Sequence, residues 1–236
     1  MNPNDDPQAM RSYINRQYAV ERGKYGSTSP LERRLWQFAM DAPYGAKVIA
    51  TDDDPRIPNP YLMRVYLTPE RKELAKLLVD LKLPMVVAKL ALLSPRPYLH
   101  YFFRGDDDRA YHNHPWKESA SFILTKGYRE HRWDFTKLQE NSRVVLPGQF
   151  NFIGRGAFHK VELLPEGGCW TVFVSGRPMD LPEGKDWDFY DPKKDKFTPW
   201  AEWIASQDRL KQRMAEPLSE PWKMAEPWPG SARGQG

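Results

Sequence analysis

The stretch from Met85 to Val174 limits most narrowly what this chain can fold into. It consists of short runs rich in Val, Ile, Phe, Tyr and Thr, which are separated by clusters of Pro, Gly and Asp. This pattern is typical of an antiparallel sandwich or barrel, because strands favour β-branched and aromatic residues and tight turns favour Gly, Pro and Asp. We predict an all-β core of the jelly-roll type. Its strands are expected over Met85–Leu93, Tyr98–Phe103, Ser121–Thr125, Tyr128–Asp134, Gln149–Ile153, Lys160–Leu164 and Trp170–Val174.

Signals for α-helices flank this β-rich stretch on both sides. Ser29-Pro30-Leu31-Glu32 matches a capping box with proline at the first helical position, and it predicts a short helix that ends before Pro43. Thr68-Pro69-Glu70 predicts the start of a second helix, in which leucines at helical spacing continue until Pro84. Thr198-Pro199 opens a third helical pattern.

Shifts in composition divide the chain into five segments. Residues 1–28 are polar and are expected to form a flexible arm without a core. Residues 29–84 are expected to form a helical and strand extension that packs on a barrel of residues 85–195. A C-terminal helix is expected over 196–213, and a Pro-rich tail over 214–236 that contains the sequence Met-Ala-Glu-Pro twice.

Composition excludes several classes of protein. The 35 Lys and Arg residues and 31 Asp and Glu residues are scattered rather than blocked, so we expect no nucleic-acid partner. A single cysteine, Cys169, cannot form an intrachain disulfide framework. The first residues lack a secretory pattern, and no apolar run reaches the roughly 20 residues that span a bilayer. We therefore expect a cytoplasmic protein that does not contact membranes.

Three of the five histidines have a spacing with a physical meaning. Residues two apart in a strand point the same way, so His112 and His114 would present two imidazoles on one face. His159 lies at the start of another predicted strand, behind the turn-forming Gly154-Arg155-Gly156. Imidazole nitrogens are common ligands of first-row transition metals. The three histidines are therefore candidate metal ligands.

The stretch from Gly105 to Gly127 resembles the first motif of the cupin family, usually written G(X)5HXH(X)3,4E(X)6G. It reads Gly105, six residues, His112-Asn113-His114, three residues, Glu118, eight residues and Gly127, so the spacing differs from the family pattern at both ends. The resemblance implies that Glu118 is a fourth metal ligand. If Glu118 points outward instead, three histidines and water remain around the metal.

The second cupin motif, G(X)5PXG(X)2H(X)3N, is matched in spacing by Gly148, Gly156 and His159, with Gly154 in place of the proline and Leu163 in place of the asparagine. Together the two motifs imply a cupin double-stranded β-helix, or jelly-roll barrel, with α-helices on its N- and C-terminal sides. The resemblance also implies one divalent first-row transition metal, namely Fe, Mn, Ni or Zn.

A narrower resemblance is to small cupin-like proteins of bacteriophages and bacteria that carry an HxHPW motif, here His112 to Trp116. The likeness covers roughly Asn59 to Trp203 and implies a fold and a metal site without a substrate. If the chain is phage-encoded, the expected location is the host cytoplasm. The other segments that carry the likeness are Tyr98-Leu99-His100, Asp106-Asp107-Asp108-Arg109, Gly127-Tyr128-Arg129-Glu130, Ala157-Phe158-His159, Trp170-Thr171 and Trp187-Asp188-Phe189.

The predicted strand Tyr128–Asp134 supplies the candidate catalytic residues. Alternation places Glu130 and Arg132 on one face and His131 on the other, and the sequence does not tell which face lines the barrel. A buried Glu or Arg needs a partner, so an inward pair would hold substrate or orient a ligand histidine. Tyr128 is the candidate acid if the site works without metal.

Three functions from different classes follow from these residues. The first is a metal-dependent enzyme acting on a small molecule, of the oxygenase, isomerase or lyase type known among cupins. The second is a metal-free epimerase-like cupin that acts on a nucleotide sugar, with a histidine as base. The third is a non-catalytic binding or structural module, whose ends dock to partners or to a second subunit in a homodimer.

Overall fold

The computed structural model describes residues 4, 6–26, 28–50, 60–82, 84–85, 94–106, 110–177, 187–199, 201–202 and 205. Three helices lie wholly within these ranges: α1 (Pro7–Tyr25), α2 (Pro30–Met40) and α3 (Arg71–Asp80). None of the helices in these ranges is long and apolar enough to cross a membrane.

The same residues contain twelve strands. In chain order they are β1 (Ala46–Ala50), β2 (Pro60–Tyr66), β3 (Arg96–Phe102), β4 (Tyr111–His112), β5 (Glu118–Ile123), β6 (Tyr128–Asp134), β7 (Gln139–Val145), β8 (Phe150–Gly154), β9 (His159–Leu163), β10 (Cys169–Ser175), β11 (Asp188–Asp191) and β12 (Lys196–Pro199).

The strands form two antiparallel sheets that face each other. The first sheet has the order β1-β2-β3-β10-β5-β8, and the second has the order β12-β11-β4-β9-β6-β7. Side chains from the two sheets meet between them: the ring of Phe102 on β3 lies 6.2 Å from that of Tyr128 on β6. The Asn151 side chain on β8 donates to the Tyr128 hydroxyl at 2.9 Å. This confirms a mainly β fold with antiparallel sheets.

Helices α1 and α2 cover the outer face of the first sheet. Trp36 of α2 is 1% exposed, and its ring lies 4.6 Å from Tyr101 and 5.2 Å from Trp170. Ile14 of α1 joins the same apolar cluster. The prediction that residues 1–28 form a flexible arm without a core is therefore wrong for α1, because its buried side chains follow a helical period against this cluster.

The hairpin of β1 and β2 also corrects the predicted segment boundaries. We expected residues 29–84 to be an extension packed on a barrel of residues 85–195. Instead β2 pairs with β3 over Leu62 to Tyr66, and β1 pairs with β2. The hairpin thus belongs to the first sheet, since its backbone groups find their partners on the edge of that sheet.

The three predicted helices have different outcomes. Helix α2 is confirmed, with both hydrogen bonds of the Ser29–Glu32 capping box present. Helix α3 is confirmed but begins after Glu70, which caps it. The C-terminal helix expected over 196–213 is wrong for Lys196–Pro199, which forms β12 and pairs with β11. Among the described residues that follow, Ala201, Glu202 and Ala205 are helical, as expected. The Pro-rich tail over 214–236 lies outside the described residues.

Six of the predicted strands are present with small shifts at their ends, as β3, β5, β6, β8, β9 and β10. The strand predicted over Met85–Leu93 falls mainly outside the described residues, which omit 86–93. The sequence did not predict β7, whose residues are mostly polar and, apart from Val145, exposed. A strand with so few buried side chains shows no alternation of apolar and polar residues.

Candidate metal centre

Two neighbouring strands of the second sheet bring the three histidines together. His112 on β4 is the register partner of His159 on β9. His114 follows two residues later, on a segment held by Asn113, whose backbone N–H donates to Asp188 and whose side chain accepts from the Asp188 N–H at 2.8 Å. One nitrogen from each histidine lies within 4.8 Å of the others.

The donor atoms have a separation that suits one metal ion. Nε2 of His114 lies 2.8 Å from Nε2 of His159. Two ligands bound to the same ion at about 2.1 Å lie roughly 3.0 to 3.4 Å apart. Small rotations of the two rings therefore suffice to place an ion between them, and the residues fit a bound transition metal.

Burial keeps His114 in the form that binds metal. Its pKa lies well below the usual histidine value because burial disfavours the charged ring, and the electrostatic interactions with His159 and Arg64 act in the same direction. The charge of Glu130 opposes these effects but does not reverse them. His114 therefore offers a free nitrogen lone pair at neutral pH.

Glu130 holds the far side of His159. Its side chain has no exposed surface, and Oε1 lies 3.2 Å from Nδ1 of His159. Oε2 lies 3.0 Å from Nε of Arg132 and 3.1 Å from Nε of Arg143, and Asn151 donates to Oε1 at 2.8 Å. With Nδ1 facing a carboxylate, His159 turns Nε2 toward His114, as histidines that bind metals commonly do.

The pKa of Glu130 shows how strongly these contacts favour the carboxylate. Burial alone would raise the pKa, but the close contacts with His159, Asn151 and Arg132 outweigh it and lower the pKa to about 2. Glu130 is thus an anion throughout the physiological pH range. It orients His159 instead of exchanging protons.

Aromatic side chains surround the histidines. The ring of His114 stacks on that of Trp116, with centroids 5.5 Å apart, and lies 5.9 Å from Phe173 of the first sheet. Phe189 and Trp187 lie beside His112, at 5.9 Å and 5.7 Å. An apolar lining of this kind excludes water and strengthens electrostatic interactions inside the site.

The structure places the other predicted site residues differently. Glu118 is exposed at the start of β5, paired with Gly154, and is not part of the three-histidine group. Tyr128 is 1% exposed and accepts from Asn151, and burial raises the pKa of its hydroxyl. Arg132 lies beside Glu130, so Tyr128, Glu130 and Arg132 share the face of β6 that points between the sheets.

Sequence reasoning missed three residues that shape the centre. Asn151 and Arg143 hold Glu130, and they lie on β8 and on the unpredicted strand β7. Arg64 on β2 acts on His114 from the first sheet. None of these residues has a local sequence signal, because their contacts come from strand pairing between distant parts of the chain.

Comparisons with solved structures find similarity over part of the chain. No protein-family model and no curated protein matches the chain. Among solved structures, recombinant oxalate oxidase in complex with glycolate has a TM-score of 0.31 and 18% identity, covering 36% of this chain and 43% of that one. DMSP lyase DddQ from Ruegeria pomeroyi has a TM-score of 0.30 and 18% identity, covering 38% of this chain and 42% of that one.

A variant of oxalate decarboxylase from B. subtilis has a TM-score of 0.37 and 11% identity, covering 65% of this chain and 33% of that one. The chain thus spans less than half the length of each of these three proteins. Assignment of a function rests on the residues of this chain.

Proposed function

We propose that the chain is a metal-binding cupin and a metal-dependent enzyme that acts on a small molecule. His112, His114 and His159 would hold one divalent first-row transition metal, with Fe, Mn, Ni and Zn as candidates. The observation that carries this proposal is the convergence of three imidazoles, with Nε2 of His114 2.8 Å from Nε2 of His159.

The proposed ligand set consists of the three histidines without Glu118. Glu118 is exposed and lies outside the group. Three protein ligands leave positions on the metal for substrate. When bound, the metal supplies Lewis acidity at those open positions.

The residues of this chain have distinct tasks in the proposed enzyme. Glu130 fixes the ring of His159, and Arg132 and Arg143 neutralise the buried charge of Glu130. Trp116 and Phe173 pack against His114 and exclude water from the centre. These features suit oxygenase, isomerase or lyase chemistry, each of which uses a substrate group on an open metal position.

A second candidate function is that of a metal-free, epimerase-like cupin acting on a nucleotide sugar. The contact between Nδ1 of His159 and Glu130, at 3.2 Å, favours it, because a carboxylate behind an imidazole also makes a general base. Tyr128 would be the acid, but burial raises the pKa of its hydroxyl and weakens it in that role. The hypotheses that the chain is a non-catalytic binding module and that it forms a homodimer stay predictions.

Cobalt absorption spectroscopy separates the metal-binding candidate from the others. Titration of metal-free protein with Co²⁺ should give visible d–d bands that saturate at one equivalent and that disappear in His159→Ala. His131→Ala is the matched control, because His131 lies on the opposite face of β6 between Glu140 and Glu162. Absence of the bands in the wild type, with no uptake of Co²⁺, would favour the metal-free candidates.

A further inference from the structure

Arg64 is a charged side chain on the face of the first sheet that points toward the second sheet. It lies on β2 as the register partner of His100 on β3, and its Nε donates to Nε2 of His100 at 3.0 Å. The guanidinium carbon lies 4.8 Å from the centre of the Tyr98 ring. The two terminal NH₂ groups of Arg64 make no hydrogen bond within the described part of the chain.

No carboxylate among the described residues balances the charge of Arg64. In the ranges that the structure describes, no carboxylate forms an ion pair with it, and the nearby charged side chain is another cation, Arg96, whose partner is Glu70 at 3.9 Å. His100 adds no negative charge, and burial keeps its pKa well below the usual histidine value. Burial also lowers the pKa of Arg64, which marks a cation removed from water.

Two other arginines near the centre, Arg132 and Arg143, do have a carboxylate partner. Arg132 and Arg143 both lie within 3.1 Å of the Glu130 carboxylate. A buried cation without a counter-ion is costly, and such groups are found where a ligand supplies the opposite charge. Arg64 is therefore a place where an anion would be stabilised.

A series of side-chain contacts links Arg64 to the three-histidine group. The ring of His100, which accepts from Arg64, stacks on Phe173 with centroids 5.0 Å apart. Phe173 in turn lies 5.9 Å from His114.

We propose that Arg64, positioned by His100 and Tyr98, binds the carboxylate of an anionic small-molecule substrate whose other end lies at the three-histidine centre. This inference rests on the proposed function and names its substrate class. A carboxylate matches the two terminal N–H donors of a guanidinium in geometry and charge. A neutral analogue would leave this half-buried cation unpaired, so the site discriminates by charge.

The test compares glycolate with glycolamide, which differ by one charge and have nearly the same shape. Both are titrated by NMR into metal-free protein, so that no metal contributes to the difference. Glycolate should bind at least about tenfold more tightly than glycolamide, as expected for charge-assisted hydrogen bonds. Equal affinities, or no detectable binding of glycolate, would overturn the inference.

Variants assign the preference to Arg64. Arg64→Gln should lose the preference for glycolate, and Arg64→Lys should keep part of it. Arg129→Gln is the matched control, because Arg129 is on the outer face of β6, 3.5 Å from Glu162. A preference that survives unchanged in folded Arg64→Gln protein would contradict the inference. If Arg64→Gln does not fold, the inference is tested by the preference of the wild type for glycolate over glycolamide and by the reduced preference expected of Arg64→Lys.

Co²⁺ uptake by the same protein samples separates the two proposals. Normal uptake with no preference for glycolate would overturn the role of Arg64 and leave the metal centre standing. A preference for glycolate without any uptake of Co²⁺ would support the anion site and count against the proposed function.

Discussion

Nδ1 of His159 lies 3.2 Å from Oε1 of Glu130, a carboxylate that has no exposed surface. The contact links the three-histidine group to a buried network that includes Arg132, Arg143 and Asn151. It also fixes which nitrogen of His159 faces His114. Glu130 is therefore a positioning residue, and its substitution should change the affinity of the protein for metal.

Glu130→Gln should weaken metal binding by about tenfold to a hundredfold, because the amide orients the His159 ring less firmly than the carboxylate. Competition with a metal-binding dye measures the change. Glu162→Gln is the matched control, since Glu162 also contacts a histidine, His131, but on the outer face of the sheet. An unchanged affinity in folded Glu130→Gln protein would contradict the positioning role.

The packing of α1 gives a prediction about stability. Ile14 is 1% exposed in the cluster around Trp36, so Ile14→Ala should lower the free energy of unfolding by about 2 to 5 kcal/mol. Val20 on the same helix is 57% exposed, and Val20→Ala should change the free energy of unfolding by less than about 0.5 kcal/mol. Urea unfolding measures both. Equal effects would mean that α1 does not pack on the sheet.

Cys169 gives a prediction about alkaline pH. Burial raises the pKa of its thiol to about 12, above its usual value of about 8.5. A raised pKa means that the folded protein favours the thiol, so this stabilisation is complete below about pH 8.5 and is lost as the pH rises toward 12. The stability advantage of the wild type over Cys169→Ala should therefore fall by about 1.4 kcal/mol per pH unit between roughly pH 9 and 11.

Reaction with a thiol reagent checks the same point directly. Because Cys169 has no exposed surface, the native protein should not react at pH 8, whereas urea-unfolded protein should react fully. Rapid reaction of the native protein would show that the thiol is accessible and that its pKa is not raised by burial.

Local signals in the sequence predicted several parts of the fold correctly. The capping box at Ser29 defines where α2 begins, because cap hydrogen bonds depend on residues three apart. Strands such as β6 and β10 were predicted because they are rich in β-branched or aromatic residues and lie between turns. The convergence of His112, His114 and His159 followed from alternation and motif spacing.

Other parts could not be predicted because their signals depend on tertiary contacts. The buried stripe of α1 includes the polar residues Gln17 and Glu21, and Glu21 accepts from Tyr101 of the sheet at 2.7 Å. A stripe that is partly polar shows no apolar period. Arg64 gave no signal either, since its neighbours His100 and Tyr98 come from another strand.

The strongest test of the three-histidine centre is the total metal per chain, measured by plasma mass spectrometry. The protein for this measurement is tag-free and is purified without chelator or added metal. We expect one equivalent of a first-row transition metal in the wild type and in His131→Ala, and almost none in His112→Ala. A wild-type protein that holds no metal and takes up none on titration, or a folded His112→Ala variant that retains a full equivalent, would contradict the three-histidine centre.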